Sequence, residues 1–201
     1  MKTNTDFLKL QSDDWMKEFK RIAESLCFEH NLCANEHKFA IVDIEFYYYS
    51  KGDHPDPFVY STPSKRNQKK GEWFFHYSGI DITIGEGETR GGILIRAIQD
   101  LNTSEYIIGT LKSMYAILNC FPSIESGNGL ILRLERITGP KIRELTKGVR
   151  IGLEKDKKGI DAEKYRNEKY RFTADYYTIA EKIRTNELKV ASQMKKNYGV
   201  I

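Results

Sequence analysis

The segment VDIEFYYY, Val42–Tyr49, alternates acidic or aromatic residues with apolar ones. Residues two apart on a strand project from one face, so Asp43, Glu45, Tyr47 and Tyr49 share a side, while Ala40, Val42, Ile44 and Phe46 point the other way toward a core. A carboxylate among aromatic rings is a candidate general base, because partial desolvation raises its pKa toward the working range. The strand pattern alone also fits an exposed Glu45 on an edge strand. A second candidate is Arg96 in ILIRAI, which alternates with Ile95 and is expected to share a face with Leu94 and Ile98. Read from the residues alone, an arginine there pairs with Glu45 or Asp43 as a buried structural ion pair.

Lys65, Arg66, Lys69 and Lys70 concentrate positive charge in SKRNQKKG, and Lys155, Lys157 and Lys158 do so in EKDKKG. The formal charge of +4, from 32 basic and 28 acidic residues, permits a polyanionic partner without requiring one. Both runs also have the composition of solvated loops. Cys27, Cys33 and Cys120 lack CxxC spacing, and His30, His37, His54 and His76 form no helical pair, so neither a disulfide framework nor a metal site is expected. No apolar run reaches the length of a signal peptide core or of a membrane span, and a cytoplasmic protein is expected.

The elements that must position these residues follow from periodicity. Trp15, Phe19, Ile22 and Leu26 recur at helical spacing behind the capping residues Ser12, Asp13 and Asp14, which predicts an amphipathic helix over 13–30. A β-branched and aromatic strand follows over 39–49, after a break at Asn35. Residues 50–71, with Gly52, Pro55, Pro57, Pro63 and Gly71, read as a long irregular excursion. Further strands are expected in GEWFFHYS, GIDITIG, GGILIRAI and NGLILRLERI. Ile107, Ile108, Leu111, Tyr115 and Leu118 predict a helix over 105–119, and Ile179, Ile183, Val190 and Met194 another over 176–197. With 201 residues and no repeat or linker, the chain is expected to form one α+β domain, a curved, mostly antiparallel sheet wrapped by helices.

Several of these segments, in this order, resemble the alkyladenine (3-methyladenine) DNA glycosylases. That family carries a strand ending in an E-T-E-A-Y-like motif, then a D-P-x-x-H and T-x-R-N loop; here stand DIEFY at Asp43–Tyr47, DPFVY at Asp56–Tyr60 and TPSKRN at Thr62–Asn67. An aromatic strand and an apolar strand ending in L-L-R-A are matched by WFFHYSG at Trp73–Gly79 and ILIRAI at Ile93–Ile98. GPKIRELTKGVRIGL at Gly139–Leu153 and KYRF at Lys169–Phe172 give two weaker matches, so the resemblance covers 39–172.

The resemblance implies extrusion of a damaged base from double-stranded DNA and hydrolysis of its N-glycosidic bond in base excision repair, without metal or organic cofactor, by a monomer. It places Glu45 as the base that activates water, Tyr47 and Phe75 as rings that stack on the base, and Arg96 near the nucleotide and the water. Lys65, Arg66, Lys69 and Lys70 would meet phosphates. Three positions depart from the pattern: Tyr60 replaces a pocket histidine, Ser78 a wedge tyrosine, and Gly85 a pocket asparagine. His54, on what reads as an exposed loop, is a candidate substitute for the histidine. Tyr77 is next to the wedge position but alternates to the other face. These departures keep two other readings in play: a relative that binds nucleic acid or a nucleotide without catalysis, and a hydrolase of free nucleosides or another small substrate.

Overall fold

The computed structural model describes residues 5–59, 69–137, 144–154 and 161–198, with backbone alone at positions 124, 188 and 190–198. In these residues the fold is α+β, with helices packed on a curled antiparallel sheet that forms a half-barrel. Its organising element is the strand β2, His37–Ser50, whose fourteen residues give it three short partners on one edge and a continuous one on the other. Along one edge lies β6, Arg90–Asp100; along the other, β1, His30–Ala34, pairs with the first part of β2 and β10, Arg171–Ala174, with the middle. The path β4-β5-β6-β2-β1-β8 completes the main sheet, with β4 at Trp73–His76, β5 at Gly79–Thr83 and β8 at Leu132–Arg136. Short strands β3 at His54–Pro55, β7 at Tyr106–Ile108 and β9 at Leu145–Gly148 add to β2, β6 and β10.

Glu45 therefore stands on a central strand, and the edge-strand reading is overturned. The simple alternation across β2 is also corrected. The β2–β6 ladder runs from Ile41 opposite Ile98 to Asp43 opposite Ala97 and then to Ile44 opposite Ile95, so Val42 and Arg96 fall out of register. Each strand holds one extra residue at the same place, and such bulges re-aim side chains. Ile41, Ile44, Phe46, Ile95 and Ile98 join the main core, while Val42 and Ala97 join a smaller cluster on the opposite face. Arg96 thus shares Leu94's side but not Ile98's, and it faces Asp43 and Glu45.

The main core lies between the sheet and α1, Trp15–Glu24, whose N-terminus is capped by Asp14 accepting from the Lys17 amide. Phe19 stacks on Phe46 with centroids 4.5 Å apart and meets Tyr170 edge-on at 5.0 Å. Contacts of this kind contribute about 0.5–1.5 kcal/mol each beyond the area they bury. The predicted helix 13–30 ends earlier than expected: a π-helical turn spans Ser25–Glu29, and β1 begins at His30. The predicted helix 105–119 is β7 followed by α2, Thr110–Leu118, because Gly109 at φ +118° breaks the chain between them. Its buried positions are Ser113 and Ile117, whereas Leu111 and Tyr115 are exposed, contrary to the periodicity reading. Behind the smaller cluster, α4, Tyr176–Tyr198, packs Ile179 and Ile183 on the sheet; Val190 and Met194 lie outside the described side chains. The helix α3 covers Ala162–Asn167, and no helix among the described residues is long and apolar enough to cross a membrane.

Gly91 and Gly92 open β6 opposite Tyr48 and Tyr47. A Cβ at Gly91 would fall 2.6 Å from the Tyr47 carbonyl oxygen, a fixed backbone atom of the central strand. Gly91→Ala is expected to destabilise the protein by about 1–3 kcal/mol through forced strand separation, read as a lowered urea midpoint with an unchanged slope.

Candidate active site

Glu45 lies opposite Leu94 on β6 and Arg171 on β10, and its side chain is fully buried. A carboxylate so placed requires donors. Its Oε1 accepts from the Ile151 amide at 2.7 Å and lies 3.2 Å from Arg96 Nη1, and its Oε2 accepts from the Tyr47 hydroxyl at 2.9 Å. Burial raises the Glu45 pKa above the ordinary value, against the opposing effects of Arg96, the Ile151 N–H and the Tyr47 O–H. Tyr47 is pushed upward too, by burial and then by the Glu45 charge, which keeps it a phenol able to donate.

Asp43, two residues earlier on the same face, binds Arg171 through two parallel contacts, Nε to Oδ1 at 2.9 Å and Nη2 to Oδ2 at 2.8 Å. The Thr173 hydroxyl donates to Asp43 Oδ1 at 2.9 Å. Arg96 Nε sits 3.8 Å from Asp43 Oδ2, beyond hydrogen-bond range, so Arg96 is shared between the two carboxylates and committed most closely to Glu45. Two arginines balance two acids, and the forked Asp43–Arg171 contact leaves Arg96 oriented toward the Glu45 side.

The Ile151 amide is held in place by its neighbour. Arg150, buried with no side-chain exposure, contacts Asp56 Oδ2 at 2.6 Å and donates to the carbonyls of Phe46 at 3.1 Å and Tyr165 at 2.9 Å. Its guanidinium lies 4.7 Å from the centroid of the Tyr47 ring. One side chain therefore fixes both the backbone donor to Glu45 and the ring that donates to its other oxygen. Asp56 in turn is tied by the Phe58 amide at 3.0 Å.

A cavity of about 550 Å³ opens above this cluster, lined among others by Tyr47, Phe58, Leu94, Arg96 and Ile151. The opposite wall carries His76, Tyr77, Ser78 and Asp81 from the β4–β5 hairpin. The structure thus brings Tyr47, Arg96 and Ser78 to one cavity, with Glu45 buried behind Tyr47, Arg96 and Ile151 and not among the lining residues. Phe75 is not among them: it is 41% exposed, and the pairing of Phe74 with Asp81 puts Phe74 and His76 on the cavity side instead. Gly85 does not line the cavity either; a Cβ there would fall 2.8 Å from backbone atoms of Thr89 and Arg90, so a close loop approach explains the glycine.

His54 is not an exposed substitute for the pocket histidine. It is buried in the aromatic core, donating from Nδ1 to the Tyr48 carbonyl at 2.8 Å, with Nε2 3.0 Å from the Tyr170 hydroxyl, and burial lowers its pKa. Tyr77 is not placed by strand alternation, because it occupies the hairpin turn, 81% exposed at the cavity rim. Lys69 is exposed, and Lys70 Nζ lies 3.6 Å from Glu86. Tyr60, Lys65, Arg66, Lys155, Lys157, Lys158 and the segment 139–143 lie outside the described residues. Among the described residues, no group of three His, Cys, Asp or Glu side chains is placed to hold a metal ion.

Sequence reasoning missed Arg150, Ile151, Arg171 and the His76–Asp81 pair. Ile151 acts through its backbone and leaves no side-chain signal. Arg150 sits in a matched segment without any local cue that its partner is Asp56, 94 positions away. Arg150→Met is expected to destabilise the fold by about 3–5 kcal/mol by stranding the Asp56 charge. The double variant Arg150→Met/Asp56→Asn should recover part of that loss in thermal unfolding.

No family model matches the chain. A protein of Acanthamoeba polyphaga mimivirus whose name describes it as uncharacterized is 29% identical to this chain, over 58% of the chain and 62% of its own length.

Proposed function

We propose that the chain is a divergent relative of the alkyladenine DNA glycosylases that hydrolyses the N-glycosidic bond of an alkylated or deaminated purine turned out of double-stranded DNA. The observation that carries this reading is the buried Glu45, held by Ile151, Tyr47 and Arg96, three residues that line a cavity of about 550 Å³ while Glu45 itself lies behind them. An ionised carboxylate offers about four lone-pair sites, so these donors leave one for a water. Glu45 takes a proton from that water as its oxygen attacks the anomeric carbon, and the purine departs with the bonding pair. Arg96 opposes the upward push of burial on the Glu45 pKa and adds positive charge beside the approaching water. The Tyr47 ring offers a face to a flat, electron-poor base.

Extruding a base costs a few kcal/mol, which some side chain must help to offset by filling the vacated stack. Ser78 is too small for that task. Tyr77, one residue earlier and projecting at the cavity rim, has the size and exposure for it. A second reading, hydrolysis of free nucleosides, draws support from the described basic residues, since neither Lys69 nor Lys70 lines the cavity.

Incubation with duplexes carrying single hypoxanthine, 3-methyladenine or 7-methylguanine lesions is expected to yield abasic sites. Glu45→Gln should lower the rate by about 10²-fold or more. Release unchanged by Glu45→Gln would rule this mechanism out, as would no release across the lesion set; turnover of free nucleosides without cleavage of duplexes would favour the second reading. Because the Glu45 pKa is raised and the base must be ionised, activity falls as pH drops through a value above the ordinary glutamate figure of about 4.3. Arg96 opposes the rise, so Arg96→Met should move the acid limb of the kcat/KM profile to still higher pH.

A further inference from the structure

The β4–β5 side of the cavity holds a second arrangement with its own chemistry. His76 ends β4 and Asp81 lies on β5, and the turn between them contains Tyr77 and Ser78. His76 Nε2 is 3.0 Å from Asp81 Oδ1, and His76 Nδ1 is 3.0 Å from Ser78 Oγ. The backbone N–H of Ser78 donates to the same Nδ1 at 3.3 Å. An N–H can only donate, so Nδ1 carries a lone pair, and in the neutral ring the proton resides on Nε2 and is given to Asp81. The tautomer is therefore set so that the imidazole presents its basic nitrogen to the serine hydroxyl.

The ring is fixed as well as polarised. Its side chain stacks on Phe74 at 5.3 Å, and Asp81, 1% exposed, rests against Gly92, where any Cβ would fall 2.5 Å from Asp81 Oδ2. A nucleophile, a base and a group that orients the base thus stand in hydrogen-bond succession, the pattern that activates a serine. Ser78 lines the cavity that Arg96 and Thr110 also line. Thr110 begins α2, whose cap residue Gly109 supplies no side chain to the first helical amides. The Arg96 cation on the cavity wall favours negative charge developing on an oxygen in this space.

We propose that Ser78 is a nucleophile, activated by His76 and oriented through Asp81, toward small acyl or phosphoryl esters that enter the cavity. In the acyl case, Ser78 Oγ bonds to the carbonyl carbon and its proton passes to His76 Nδ1. The carbon–oxygen bond to the leaving alcohol breaks, and the alcohol takes that proton. Water, deprotonated by His76, then bonds to the acyl carbon; the bond from that carbon to Ser78 Oγ breaks, the carboxylic acid leaves, and Oγ takes the proton back from His76. This activity does not depend on the glycosylase reading: it shares Arg96 with it, but its nucleophile, base and orienting acid are other side chains and it needs no DNA.

The test is treatment of the full chain, without DNA, with diisopropyl fluorophosphate, followed by intact mass measurement and peptide mapping. Here Oγ bonds to phosphorus, the phosphorus–fluorine bond breaks, and proton and fluoride leave together. The expected result is a single adduct on Ser78, absent from Ser78→Ala, forming at least about ten-fold more slowly in Asp81→Asn. The Ser78→Ala variant should also lose p-nitrophenyl acetate turnover. Absence of an adduct on wild-type Ser78 overturns the proposal, as does labelling confined to Tyr77 or undiminished ester turnover by Ser78→Ala. The position of the wild-type label decides the matter even where a variant folds poorly.

Discussion

A carboxylate at the centre of a sheet is the constraint around which the rest is arranged. Taking an isolated charge of that kind out of water would be prohibitive, and a protein retains it only with donors on both oxygens and a cation at hand. Glu45 has all three, and they come from separate parts of the chain: Tyr47 from its own strand, Arg96 from β6 and the Ile151 amide from the segment after β9. The net effect still leaves its pKa raised, so burial outweighs the donors.

The matched irregularity in β2 and β6 lets both signs of charge meet. A regular ladder would alternate Val42, Asp43 and Ile44 across the sheet and would place Arg96 on Ile98's side. With one residue out of register in each strand, the core contacts of Ile41, Ile44, Ile95 and Ile98 are preserved, and the polar residues between them gather on the opposite face. The hydrophobic core and the site are thus satisfied by the same distortion, with apolar residues setting its limits on one side and ion pairs on the other.

The long, strongly patterned elements were legible in the sequence: β2 and β6 within a few residues, α1 by its apolar stripe, α4 by its length, and the α+β class from their order. The losses have physical causes. β7 shares its isoleucines with any helical pattern, and only the left-handed Gly109 separates it from α2. β1, β9 and β10 are too short to show a period, and they exist because β2 offers them an edge. Within the site, Glu45, Tyr47 and Arg96 were named through the resemblance of several ordered segments, since spacing alone fits an exposed Glu45 equally; its burial depends partly on β10 and the Ile151 segment, which carry no local signal. Phe75 was misplaced relative to His76 by a single residue, which on a strand exchanges one face for the other.

The joint between core and site is Arg150. The strand β9 is four residues long and pairs with β10, so little sheet structure holds the chain at Ile151. The Arg150 guanidinium replaces that missing ladder: it binds Asp56, the Phe46 carbonyl on β2 and the Tyr165 carbonyl at α3, all within the interior. Asp56 belongs to the stretch that leaves β2 at Ser50, so one ion pair also ties that stretch to the segment bearing Ile151. A single buried contact therefore converts the stability of the aromatic core into the position of an amide hydrogen on Glu45. Its removal would disturb the carboxylate from a distance, because the donor would drift while Glu45, Tyr47 and Arg96 remained in their strands.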